Sequence, residues 1–162
     1  MLFEILGWLE ESFLGHLMRD TGLWTYAFVN LFHIAGIAIL FGSILILDLR
    51  LLGLWRGVPL ATLSTPTVPM AGLGFTLAIV TGVLMLATKA TEYYGNPFLY
   101  IKLPMIVLGA ANIALIHRST AWKAHRTREL SASESFSLAR MGGTSLACWV
   151  TVLVAGRMIA YW

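Results

Sequence analysis

The chain has 162 residues, 58% of them hydrophobic and only 12% charged, with a mean hydropathy of +0.79. Soluble domains carry about 25% charged residues, so a water-facing globule is excluded. The formal net charge of +3 is distributed by loop, as set out below, and supports no nucleic-acid role.

The first twenty residues read MLFEILGWLEESFLGHLMRD. Leu2, Leu6, Leu9, Phe13 and Leu17 recur at helical spacing. Glu4, Glu10 and Glu11 stand where a secretory leader would be basic. The segment is too charged to span, so it is predicted as one amphipathic helix lying at the membrane interface.

Four apolar runs follow, at residues 25–47, 70–88, 98–116 and 144–161. Each approaches the roughly 20 residues that a hydrocarbon core requires. No long polar stretch remains, so the whole chain is read as a single membrane domain. The expected fold class is all-α and integral to the membrane: an up-down four-helix bundle plus the interfacial helix.

Between runs one and two lie Arg50 and Arg56, then STPTVP (64–69), read as the end of that connection. YYGNP (93–97) reads as a tight turn between runs two and three. The third connection holds Arg118, Lys123, Arg126, Arg128 and Arg140, whereas the opposite side holds only Arg19 and Lys89. Lys and Arg mark cytoplasmic loops. Both chain ends are therefore expected on the outer, periplasmic side of a bacterial inner membrane. Membrane lipids are the partners this implies.

Within the second run, Gly74, Ala78 and Gly82 form a small-residue stripe suited to close helix packing. Cys148 is alone, which excludes an intramolecular disulfide and any multi-cysteine metal site.

Ionisable groups at membrane depth are costly and mark candidate sites. His33 lies about 13 Å inward of Trp24 at about 1.5 Å per residue. Lys102 and Arg157 each lie roughly 7 Å in from their nearest outer end. Asn30, His33, Gly36, Leu40 and Ser43 share one helical face, and Gly36 is expected to leave room beside the imidazole for a flat ring. The reading is a b-type haem: His33 ligates the iron, and Lys102 and Arg157 meet the propionates. Lys102 is also a candidate second ligand, as are Met105 and His16, which would fold over the site. His117 and His125 read as solvated loop histidines, and Asp48 and Arg50 as interface anchors pairing with loop charges.

The strings HIAGIAILFGSILILDLRLLG, GFTLAIVTGVLM, NPFLYIK and GRMIAYW resemble a family of small bacterial multi-pass membrane proteins of unassigned function, along essentially the whole chain. More distantly, a first-span His with a third-span Lys resembles the CopD and HemJ group. That resemblance implies copper transport or haem-associated protoporphyrinogen oxidation, with His33 and Lys102 as the matching pair.

No nucleotide motif or carboxylate pair is present, so hydrolysis and group transfer have no support. The expected function is electron transfer through haem b, as a subunit or redox partner of a larger membrane complex. A HemJ-like porphyrinogen oxidase, a purely structural accessory subunit and a copper-handling protein are the alternatives.

Overall fold

The computed structural model describes residues 2–162, and every regular element among them is helical. Seven α-helices follow in order: α1 (Leu2–Glu10), α2 (Phe13–Asp20), α3 (Leu23–Leu51), α4 (Leu60–Thr88), α5 (Pro97–Arg118), α6 (Thr120–Ala124) and α7 (Ala132–Met158). Short 3-10 turns at Ala90–Tyr93 and Ile159–Tyr161 follow α4 and α7. Helices α3, α4, α5 and α7 are long and apolar enough to cross a membrane. This is the four-span, all-α class that the hydropathy predicts.

Three boundaries differ from the sequence reading. The N-terminal segment is two helices, because Ser12 caps α2: its Oγ accepts the Gly15 N–H at 3.4 Å. Helix α4 begins at Leu60 and runs through STPTVP, with Pro66 and Pro69 inside it. The hydroxyls of Thr65 and Thr67 donate to carbonyls four residues back, bracing the turns where proline withholds an N–H. Helix α7 begins at Ala132, launched by a capping box in which Ser131 and Glu134 bond each other's backbone N–H groups.

The chain divides into two compact units. The first contains the residues up to Leu40 together with Ala71–Asn96. Here the first half of α3 packs on the second half of α4 through glycine. A Cβ on Gly36 would lie 2.8 Å from the Ala78 nitrogen, and one on Gly74 would lie 2.8 Å from the Gly36 carbonyl oxygen. The α1–α2 arm is fastened to the end of α4. Glu10 Oε2 accepts both the N–H and the hydroxyl of Thr91 at 2.7 Å, Arg19 Nη1 donates to the Thr88 carbonyl at 3.3 Å, and Phe3 meets Tyr94 edge-on.

The second unit contains Phe41–Met70 and Pro97–Trp162. Its core gathers Leu51, Ile116, Ala121, Trp122 and Leu138. Helix α5 packs along α7, where the Trp149 ring covers Gly109 and Asn112 Nδ2 donates to the Met141 carbonyl at 2.9 Å. Gly53, at φ 105°, ends α3 in a conformation glycine adopts freely. Arg50 then reaches forward to the Val58 carbonyl at 2.8 Å.

Candidate functional site

His33 sits one turn before Gly36 on α3, half-buried in the first unit, with Nδ1 3.0 Å from Thr81 Oγ1 on α4. The Thr81 hydroxyl gives its only proton to the Leu77 carbonyl at 2.6 Å. It can therefore only accept from His33. This assigns the proton to Nδ1 and the ring lone pair to Nε2. Gly82 makes room for the ring, since a Cβ there would come within 3.0 Å of His33 Cε1. A threonine in an apolar run carries no sequence cue that it will orient a histidine, and Thr81 was not foreseen.

An imidazole held in the Nδ1–H tautomer by its neighbour has the donor chemistry of an axial haem ligand. His33 thus fits that role. Gly36 does not fit the one expected of it. The backbone of α4 fills the space beside it, so this glycine serves close helix approach and opens no slot for a flat ring. His16 is engaged within its own segment. Its Nε2 faces Glu11 Oε2 at 3.5 Å, and its side chain is about half exposed. Among the described residues no group of three or more His, Cys, Asp or Glu side chains could hold a bare metal ion.

Lys102 and Arg157 belong to the second unit, whereas His33 belongs to the first. Lys102 Nζ would lie 3.2 Å from a Cβ on Gly156, so the lysine chain rests on α7 just before Arg157. Arg157 Nη2 donates to the Tyr161 hydroxyl, and its guanidinium lies 4.9 Å from the Tyr161 ring centre. Tyr161 therefore holds the arginine by a hydrogen bond and a cation–π contact. Lys102 thus rests beside Gly156, and Arg157 is held against Tyr161 on the same helical segment.

Two polar residues depart from their expected surroundings. Asp48 is not an anchor at the interface. It is 3% exposed, lies within reach of the Ser145 hydroxyl, and keeps Oδ2 without a hydrogen-bond partner among the described residues. Arg50, two residues on and on another face, is engaged with the loop backbone. His125 is not a solvated loop histidine. It is buried, its Nδ1–H donates to the Trp122 carbonyl, and its Nε2 accepts the Ser64 hydroxyl at 2.8 Å. Ser64 has no exposed surface, so this serine–histidine pair is closed to any substrate and acts as a tie between α4 and α6. His117 is exposed but stands in the last turn of α5 and not in a loop, its Nδ1 bonded to the Ile113 carbonyl and its ring 5.1 Å from that of Trp122.

Fold and site together define a four-span, all-helical membrane protein with an oriented imidazole inside its first unit. Over residues 4–162 the sequence matches the model of a family described as a family of unknown function, DUF6644, and the chain belongs to that family. Comparison with curated proteins and with solved structures finds no match.

Proposed function

We propose that this chain is a haem b protein of the bacterial inner membrane that carries electrons, in which His33 Nε2 would hold the iron. The carrying observation is the Thr81 hydrogen bond, which fixes the tautomer that ligation needs and holds the ring against rotation. When bound, the haem supplies one-electron chemistry. The chain's own residues orient the imidazole through Thr81 and leave it room at Gly82. Lys102 and Arg157 are proposed as anchors for anionic groups, carboxylates or lipid phosphates. The bias of Lys and Arg toward the α3–α4 and α5–α7 connections supports outward-facing chain ends. Exchange of electrons with another membrane subunit is the reading that the apolar composition favours.

The test is an absorption spectrum of the full chain purified from haem-replete cells. The proposal expects a Soret band and b-type reduced bands, with the Soret band lost or displaced in His33→Ala. A folded protein without colour would overturn it.

A further inference from the structure

In the first unit a cleft of about 460 Å³ opens between the end of α2, the start of α3 and the end of α4. Met18, Arg19, Tyr26, Met85, Lys89 and Tyr93 line it. The volume falls within the roughly 300–1,000 Å³ of small-molecule sites. Tyr26 precedes His33 by two turns of α3, while Met85 and Thr88 follow Thr81 at helical spacing on α4. The cleft therefore opens along the same α3–α4 seam that holds the imidazole, about 10 Å nearer the helix ends.

Its cations have acidic neighbours. Lys89 pairs with Glu92 at 3.0 Å, Arg19 donates to the Thr88 carbonyl, and the Glu10 carboxylate answers both cations. Arg19 and Lys89, the charged residues in the lining, are thus offset by Glu10 and Glu92 beside it, which weakens the pull on an acidic lipid headgroup or a free anion. The polar groups left to specify an occupant are two phenols. Burial, and then the neighbouring Tyr26, raise the pKa of Tyr93, so at neutral pH its hydroxyl remains a donor. Met18 and Met85 supply soft, polarisable walls of the kind that pack well against rings. Leu23, 82% exposed at the rim, gives a hydrocarbon chain an apolar exit.

We propose that this cleft binds the headgroup of a lipid-borne para-quinone, a planar uncharged ring with two carbonyl acceptors. The tyrosine hydroxyls donate to those carbonyls, the methionines flank the ring, and the prenyl chain leaves past Leu23. The α1–α2 arm, fastened through Glu10 and Arg19, forms one wall and sets the cleft before any ligand arrives.

The site stands apart from the haem reading. The full chain in detergent micelles is titrated with a short-chain para-benzoquinone analogue, and tryptophan quenching gives the dissociation constant. Tyr26→Phe and Tyr93→Phe should each weaken binding about fivefold, the worth of one neutral hydrogen bond. Met85→Trp, which fills the cleft, should abolish binding while leaving the helical circular dichroism unchanged. Phosphatidylglycerol added to the micelles should not displace the quinone. Wild-type affinity in both the double phenylalanine variant and Met85→Trp overturns the site, as does displacement by phosphatidylglycerol. A colourless protein that binds the quinone overturns the haem reading alone; a coloured protein that does not overturns this site alone.

Discussion

Thr81 Oγ1 stands 3.0 Å from His33 Nδ1 while donating its own proton to the Leu77 carbonyl 2.6 Å away. One hydroxyl on α4 therefore decides which ring nitrogen of a residue on α3 carries a lone pair. Thr81→Val keeps the shape and removes the acceptor, freeing the ring to turn and change tautomer. On the haem reading, its affinity for haem should fall about 10- to 100-fold, the usual cost of losing an orienting partner. Thr81→Ser should hold it near wild type. Haem titration of the apoprotein separates the two. Equal affinities for Val and Ser would remove Thr81 from the site.

Close packing of α3 on α4 makes glycine replacement informative. A Cβ on Gly36 would press on the Ala78 backbone nitrogen at 2.8 Å, whereas one on Gly42 would meet nothing within 4 Å. Backbone cannot swing aside as a side chain can. Gly36→Ala should therefore lose about 1–3 kcal/mol to overpacking, and Gly42→Ala should be neutral or gain up to about 1 kcal/mol of helix propensity. Thermal unfolding in one detergent compares them. A Gly36→Ala protein as stable as Gly42→Ala would contradict the glycine seam.

These contrasts also show what a linear reading reaches. The four spans follow from apolar runs alone, because hydrocarbon thickness imposes one length on each. The start of α7 was visible in Ser131 and Glu134, whose spacing is that of a capping box, although the apolar run suggested a later start. The start of α4 was hidden: Pro66 and Pro69 read as breakers until neighbouring hydroxyls are seen to brace the helix. His33 stood out because an imidazole at that depth is rare. Thr81 did not, being 48 residues away and unremarkable in composition. Asp48 was misread for the same reason, since nothing near it in the chain announces Ser145.

The N-terminal arm should respond to acid. Hydrogen bonds from the Thr91 backbone, then from its hydroxyl, hold the Glu10 pKa below the ordinary carboxylate value. A lowered folded-state pKa means the carboxylate stabilises the docked arm fully above the unfolded value of about 4.3. That stabilisation is lost as pH falls below it and through the folded value. Amide hydrogen exchange in α1 and α2 should accelerate across that window in wild type, beyond the intrinsic pH trend. Glu10→Gln should show weaker protection at neutral pH and no such step. A step that persists in Glu10→Gln would assign the acid response to another group.

Ser64 and His125 form the second test of packing across helices. Both are buried, and Ser64→Ala leaves His125 Nε2 without the hydroxyl that now meets it at 2.8 Å. An unsatisfied buried acceptor costs about 1–3 kcal/mol. Ser64→Ala should therefore destabilise by that amount, whereas adding His125→Phe to it removes the stranded nitrogen and should recover part of the loss. The favourable coupling is what a double-mutant cycle reads in detergent unfolding. Strictly additive losses would mean that the contact bears no stability, and that α6 is held by Trp122 and its apolar neighbours alone.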